Sequence, residues 1–507
     1  MTTANKTNST PLGVEEILPQ IPDCDVELAD IGRVTKKDSN DPYLVAFAEP
    51  FDAECPRTWS NGKKWTVTDV LSATGFNRIM LSTIMAPALP VIAKELHMSS
   101  TESVMALSAY MLATAFGPLV FGPLSEIYGR APTLHVSNIW FLIWNLVCGF
   151  ANTKGLLIAS RLLAGLGASA VYSLAGGVLG DIWTPEQRGK TLGVYLLIPL
   201  LGCAVGPIIG GFMAGTSTWR WIFWSTSAFQ AVMTVASFLA FHETYAPVIL
   251  RRKAARIRRE TGDERYRTAE ERLIGKRSLT QVLSKGLSRP IRLLAFNHII
   301  QITALVSAVE YGLLYIVLTT LSILYQDLYR ESVDISGLHY LAPCLGELVG
   351  SQIGGPLMST IFKRLKRREN GAMRPEFHIP ILLPGAIIAA SGFLLYGWAA
   401  HFRTYWLVVD LGVFLAAFGG QVSGMPEQAY VIDSFPEYTS SATAASQFVR
   451  SLTAFGFPLF APTFYAALGY GWGNTLLGFL ALAIFVPTPI VIWMYGPKLR
   501  ANARGIF

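Results

Sequence analysis

Long apolar runs alternate with short polar joints over most of the chain. They fall near residues 68–91, 104–123, 133–151, 155–180, 190–214 and 220–241, and again near 292–325, 336–360, 378–399, 404–431, 440–468 and 472–495. Each holds about 20 residues or more, enough to cross a hydrocarbon core as a helix, and the longer ones suit tilted helices. The pattern predicts an all-α polytopic membrane protein with twelve transmembrane helices in two six-helix halves. The expected division is a largely disordered tail at 1–66, a first half at 67–241, a basic central loop at 242–291, a second half at 292–496 and a tail at 497–507.

The halves repeat weakly. Asp181-Ile182-Trp183-Thr184-Pro185-Glu186 ends the fourth run, and Asp433-Ser434-Phe435-Pro436-Glu437 ends the tenth. Gly206-Pro207 in the fifth run answers Phe457-Pro458 in the eleventh. Gly122-Pro123-Leu124 after the second answers Gly355-Pro356-Leu357 after the eighth. Two six-span repeats with a substrate site between them is a transporter arrangement.

Composition sharpens this picture. Hydrophobic residues make up 51% of the 507 positions and charged residues 15%, against about 25% charged in soluble proteins. The net charge of +7 comes from joints between runs and implies no nucleic-acid partner. From Arg251 to Arg289 there are thirteen Lys or Arg and five Asp or Glu. The joint after the eighth run adds Lys363, Arg364, Lys366, Arg367, Arg368 and Arg374, while the joints after runs 1, 3, 5, 9 and 11 are poor in cations. By the positive-inside rule the basic joints and both termini face the cytosol, with the plasma membrane expected and the vacuolar membrane as the alternative. The central loop reads equally as a solvated linker or as a surface-lying amphipathic helix. Residues 1–60 hold no apolar signal segment, and the sequons at Asn5 and Asn8 are expected to stay unused in a cytosolic tail. Five cysteines show no metal-ligand spacing, and no P-loop or G-x-S-x-G elbow is present. Neither metal, cofactor nor enzyme activity is expected. The expected partners are a small-molecule substrate, protons and the lipid bilayer, with the chain acting as a monomer.

The joint Gly122-Pro123-Leu124-Ser125-Glu126-Ile127-Tyr128-Gly129-Arg130-Ala131-Pro132 forms a tight charged hairpin between two spans. It resembles the loop between spans 2 and 3 of the major facilitator superfamily, except that Ala131 stands where a second cation is usual. Gly193, Gly202, Gly206, Pro207, Gly210 and Gly211 complete the G-x8-G-x3-G-P-x2-G-G pattern that marks antiporters of that family. Physically, the glycines permit close helix approach and the proline bends the span. Arg161-Leu162-Leu163-Ala164-Gly165-Leu166-Gly167 resembles the family's R-x-x-x-G-x-G motif. The resemblance gives Arg161 a part in proton coupling; snorkelling to the outer interface is the alternative. It also pairs Asp181 with Arg130, so that Gly122, Glu126, Gly129, Arg130 and Asp181 form a cytoplasmic gating latch. Ala86-Pro87-Ala88-Leu89-Pro90 and the basic, Trp-bearing entry Phe51–Trp65 resemble fungal drug:proton antiporters.

Acids inside the apolar runs are the remaining candidates: Glu310, Glu347, Asp410 and Glu427. A carboxyl in low dielectric has a raised pKa and can carry a proton. Glu310, followed by Tyr311-Gly312-Leu313-Leu314-Tyr315, is the first choice, ahead of Glu427 and Glu347. Tyr311, Tyr315 and Tyr430 are expected to line the substrate cavity. For any one charged residue, Arg78 included, a structural ion pair is an equal reading. The resemblance implies a proton-driven exporter of an apolar or amphipathic molecule such as a toxin, secondary metabolite or drug. A proton-coupled uptake or polyamine carrier and a non-transporting sensor or scaffold are the alternatives.

Overall fold

The computed structural model describes residues 41–48, 52–274, 279–370, 374–435 and 439–503. The first half holds α1 (Asn61–Thr83), which passes through a 3-10 turn at Ala86–Ala88 into α2 (Leu89–Glu95), then α3 (Ser100–Tyr128), α4 (Arg130–Gly149), α5 (Lys154–Ala168), α6 (Ala170–Ile182), α7 (Pro185–Thr216) and α8 (Arg220–Ala240). Three helices link the halves: α9 (Ala246–Thr261), α10 (Ala269–Ile274) and α11 (Leu279–Phe296). The second half holds α12 (His298–Leu328), α13 (Val333–Leu338), α14 (Leu341–Arg368), α15 (Leu382–His401), α16 (Trp406–Ser434), α17 (Thr439–Phe485) and α18 (Pro487–Ala503). The fourth apolar run is divided at Ser169, and the eleventh and twelfth meet at Gly469, whose φ of +68° breaks α17. The twelve apolar runs thus become two sets of six helical passes. One end of the bundle, called the chain-end side, carries residues 41–48, the last turns of α18 and α9 to α11; the opposite end is called the far end below.

Polar residues set where the helices start. The Ser60 hydroxyl accepts from the Lys63 amide, so α1 begins before its apolar run. Ser99 and Glu102 form a capping box at α3. The run near 292–325 is split, because Asn297 Oδ1 accepts from the amides of Ile299 (3.0 Å) and Ile300 (3.2 Å) and starts α12 there. Residues 292–296 belong instead to α11, which packs against α3 and α17. The central loop is therefore built of helices and is not a bare linker.

Part of the N-terminal tail is also ordered. The Val45 amide donates to Arg267 O (3.0 Å) and the Arg267 amide to Tyr43 O (3.1 Å). Asp52 meets Lys253 at 2.7 Å, Glu54 meets Arg256 at 2.8 Å and Asp41 meets Arg272 at 2.6 Å. The tail's acids answer the cations of α9 and α10, a pairing between distant segments that composition within 1–66 does not reveal. The sequons at Asn5 and Asn8 lie outside the described residues.

Glycines decide how α7 packs. A methyl added at Gly202 would come within 2.6 Å of Phe76 O, at Gly206 within 2.7 Å of Met80 O, and at Gly210 it would overlap Ile84 O. Glycines and carbonyls both recur every fourth residue, so α7 and α1 lie backbone to backbone within the first half. Gly211 and Pro207 face another way. A methyl at Gly211 would reach Val333 O at 2.9 Å, and one at Gly337 would reach Pro207 O at 2.7 Å. Val333 and Gly337 belong to α13, so this face joins the two halves at the far end. Gln326 adds a second tie there, donating to Pro87 O at 3.1 Å. Gly193 lies in α7, but its side-chain surroundings fall outside the description.

This division of labour is testable. Gly206→Val should overpack the first half and cost about 1–3 kcal/mol, seen as a lower thermal midpoint. Gly211→Val should leave the midpoint near wild type while raising the maleimide reactivity of a cysteine placed at Ser336 in the far-end seam. Equal thermal effects from both substitutions would contradict the division.

The tail contact has its own pH signature. The Lys253 ammonium, helped by the Ala48 and Glu54 amides, holds the Asp52 carboxyl down at about 2. A depressed carboxyl stabilises the docked tail above its unfolded pKa, about 3.9, and loses that contribution as pH falls towards 2. Exchange protection of the Val45 amide, corrected for intrinsic rate, should stay level from pH 5 to 8 and fall below pH 4. Lys253→Ala should lower it at pH 7. A transition near pH 6 in the wild type would rule out this assignment.

Candidate functional site

Three helices of the second half bring acids towards one place. Glu310 on α12 and Glu347 on α14 line a narrow cavity with Tyr311, Leu314, Phe393 and Gln421. Both acids keep part of their surface exposed, and that surface belongs to the cavity wall. Glu427 on α16 is 1% exposed, and its Oε2 accepts from Ser307 Oγ at 2.6 Å. Its Oε1 has no hydrogen-bond partner among the described residues. The Glu310 carboxyl fits against Gly424, one turn before Glu427, where a methyl would overlap its oxygens. Glu310 lies within electrostatic reach of Glu427, Arg450 and Glu347.

Arg450, on α17, is the residue that sequence reasoning missed. Its guanidinium sits 4.3 Å from the centre of the Tyr311 ring. It acts electrostatically on both Glu310 and Glu427, and its Nε is buried without a hydrogen bond among the described residues. A lone cation in an apolar run was the available signal, since such residues are rare and costly. Across the interface, Tyr172 of α6 lies within electrostatic reach of Tyr311 and Arg450. Tyr315 OH donates to Met111 Sδ of α3 at 3.1 Å. Tyr311 and Tyr315 therefore lie towards the other half; of the two, Tyr311 lines the cavity beside Glu310. Tyr430 does not join them: it packs with Leu293, Ile299 and Ile492 near the chain-end side, against Glu376 and Gly496. The expectation that it lines the cavity is corrected, because its position on α16 turns it towards α18.

The buried arginines of the first half have partners of another kind. Arg161 is wholly buried and donates to the carbonyls of Leu81 (3.1 Å), Ala106 (3.3 Å) and Leu107 (3.4 Å), with its guanidinium 4.7 Å from the Tyr110 ring. It does not snorkel, and its hydrogen bonds stay within the first half. Arg78 donates to Gly167 O at 2.8 Å and to Asn138 Oδ1 at 2.5 Å, above the Phe141 ring. Its hydrogen-bond partners are a carbonyl and an amide, not an acid.

At the chain-end side, Arg130 meets Asp181 at 3.5 Å and donates to Ser125 Oγ at 2.5 Å. A second acid, not singled out in the sequence, completes the joint. Glu243 Oε1 accepts from the Arg130 amide at the start of α4 (2.9 Å) and from the amides of Thr244 and Tyr245. A carboxylate at a helix N-terminus is favoured by the exposed amides and the helix dipole. Gly129, at φ +106°, permits this, because a methyl there would collide with Glu243. Gly177 likewise leaves room for the Arg130 guanidinium. Glu126 is half-buried on the last turns of α3, and Gly122 lies one turn before it.

Asp410 stands apart from the central acids, bound to Tyr325 and His339 at the far end. A larger, mainly apolar recess opens between the halves at that end, lined by Pro90, Met98, Asp327 and Tyr465. It holds none of the buried acids, so the smaller cavity beside Glu310 is the better candidate for coupling chemistry.

A family model described as Major Facilitator Superfamily matches residues 71–458. "Probable efflux pump mfs2" of Aspergillus flavus is 54% identical over 424 residues, which is 84% of this chain and 100% of that protein. "Efflux pump vrtL" of Penicillium aethiopicum is 40% identical over 465 residues, 92% of each chain. The fold is that of the xylose transporter XylE from E. coli in a partially occluded inward-open conformation, with a TM-score of 0.60 and 13% identity over 86% of this chain and 98% of that one. Matched over most of its length and built as two six-helix repeats, this chain belongs to the Major Facilitator Superfamily: it is a multi-pass membrane transporter of small molecules, not an enzyme.

Proposed function

We propose that the chain is a proton-coupled antiporter that exports an apolar or amphipathic small molecule, such as a toxin, secondary metabolite or drug. The observation that carries this reading is the gathering of Glu427, Glu347 and one cation, Arg450, about Glu310. Charges in an apolar site interact far more strongly than in water. Adding or removing one proton therefore changes the field at Tyr311 and across the interface. Glu310 carries the proton, with Glu427 and Glu347 sharing the site, and Arg450 compensates Glu310 or Glu427 when either is ionised. Leu313, Leu314, Val317 and Phe393 give the cavity an apolar lining suited to an apolar cargo. The relatives named as efflux pumps support export.

The chain-end side faces the cytosol in this reading, supported by the cations of α9 and of the last turns of α14. The plasma membrane is the proposed site, and one chain completes the transport path as a monomer. Arg130, Asp181 and Glu243 hold the cytosolic ends of α4, α6 and α8 together in one transport state. Arg161 fixes α5 against α1 and α3, and so supports coupling by holding the first half rigid.

Glu310→Gln, which imitates the protonated acid, should abolish gradient-driven efflux from vesicles while keeping substrate binding and exchange without a gradient. Normal proton-driven accumulation by this variant would remove Glu310 as the carrier. Gly424→Ala should push the Glu310 carboxyl aside and lower coupled efflux with little change in expression. Arg130→Ala should reduce transport about five- to tenfold, as expected when ~1–1.4 kcal/mol is lost from one conformational state. Its thermal midpoint should stay close to wild type. Wild-type transport rates in Arg130→Ala would argue against a state-specific latch.

A further inference from the structure

We propose that His339, Glu331 and Asp410 form a second proton-binding site, separate from the central acids, whose occupancy holds the far end of the transporter closed. The His339 side chain is 6% exposed. Its Nδ1 lies 2.8 Å from Asp410 Oδ2 and its Nε2 lies 2.8 Å from Glu331 Oε2. The ring stacks on Tyr325 at 3.5 Å and 8°, with Trp406 against its edge. Tyr325 OH donates its proton to Asp410 Oδ1 at 2.7 Å.

These contacts fix a proton count. A neutral imidazole has one N–H and can donate to one carboxylate only. Two carboxylates face its two nitrogens, and Tyr325 has already given its hydrogen to Asp410. Both 2.8 Å contacts are hydrogen bonds only when the cluster holds one further proton, on the imidazole or on a carboxyl group. Without it, a nitrogen lone pair would face an oxygen lone pair in a poorly hydrated place. The titratable groups around His339 are Tyr325 on α12, Tyr329 and Glu331 in the turn after it and Asp410 on α16, with Tyr396 of α15 acting on Tyr325. Among the described residues, neither Glu331 nor Asp410 pairs with a lysine or arginine.

The position gives this proton its mechanical effect. Glu331 precedes α13 and His339 follows it, so their contact ties the two flanks of that short helix together. Asp410 and Tyr325 anchor the same tie to α16 and α12. Between the flanks, Val333 and Gly337 seal against Gly211 and Pro207 of the other half. Ser336 accepts from Gln326, which also donates to Pro87 of the first half. Losing the proton weakens the tie, frees α13 to move and favours opening between the halves. Closure and proton binding are therefore linked, and acid at the far end favours the closed seam. The site stands independently of the antiport reading; only its exposure to the outside medium rests on that reading.

The test is the distance between nitroxide labels at Ser217→Cys and Arg403→Cys, one on each half at the far end. Full-length protein in lipid nanodiscs is used, with native cysteines replaced and Glu310→Gln present to silence that central acid. The open-to-closed ratio should rise with pH, by at most about tenfold per pH unit for one linked proton. Glu331→Gln should remove this dependence yet keep the closed population. Its amide N–H can donate to Nε2 of a neutral His339 while Nδ1–H donates to Asp410. His339→Phe keeps the stacking but should lose both the dependence and part of the closed population. A merely structural cluster would not become pH-insensitive and stay closed through Glu331→Gln. Wild-type pH dependence in that variant, or label distances unchanged from pH 5 to 8 in the parent, would overturn the proposal.

Discussion

Contact between helix backbones, made possible where a side chain is missing, is the constraint on which this structure rests. In a lipid solvent, apolar side chains gain little by leaving lipid for protein, so helices are held by close packing and by polar contacts. The row Gly202, Gly206 and Gly210 on α7 lies on carbonyls of the α1 segment at matching four-residue intervals. In the second half, Gly346 and Gly350 of α14 lie likewise on the carbonyls of Phe414 and Phe418 of α16. The difference between the faces of α7 follows directly. Its four-spaced row is consumed inside one half, and the next residue round the helix, Gly211, is left to meet the other half. One helix can then stay fixed to its own domain while making and breaking the seam.

Such close packing leaves little room for water, so every buried polar atom needs a protein partner or a reason for lacking one. The two halves treat their buried charges differently. Arg161 spreads its donors over three carbonyls, and Arg78 uses a carbonyl and an amide. Carbonyls carry no titrating group, so these cations are held without sensitivity to protons. The second half instead gathers carboxylates near Arg450; among the described residues, unpartnered buried atoms occur in both halves, Arg78 Nε and Asn138 Nδ2 in the first and Glu427 Oε1 and Arg450 Nε in the second. What separates the halves is the kind of partner: the first holds its buried arginines on carbonyls and an amide, and the second places buried acids within reach of an arginine.

The sequence made the large features legible because they depend on periodicity and on residue type alone. Twelve apolar runs and the glycine pattern of α7 could be read that way, while the Arg130–Asp181 pair was implied only by the family resemblance. What it hid depends on contacts between distant segments. Nothing around Glu243 announces that it accepts from the amide of Arg130, which is 113 residues away. The ordered strap near Asp52 needs the cations of α9, and Tyr430 is turned from the cavity by its place on the α16 surface. Arg450 was readable as a lone intramembrane cation, but its partners were not. Asp410 looked like Glu310 and Glu427 in sequence; its depth in the bundle and its histidine neighbour separate it from them.

The repeat itself becomes chemically specific once the structure is in hand. In the first half, the start of α4 is joined to the end of α6 by Arg130 and Asp181, and to the segment after α8 by Glu243. In the second half, the segment before α15 is joined to the end of α16 by His378 and Asp433 at 2.8 Å, and to α18 by Glu376 and Arg500 at 2.8 Å. The same joints are kept, but the partners are exchanged. A permanent guanidinium in the first half is replaced by an imidazole in the second. An acid accepting from backbone amides is replaced by an acid accepting from an arginine. The geometry of the bundle needs a polar clasp at each joint and is indifferent to its composition. The two halves can therefore share a shape while their clasps are built from different side chains.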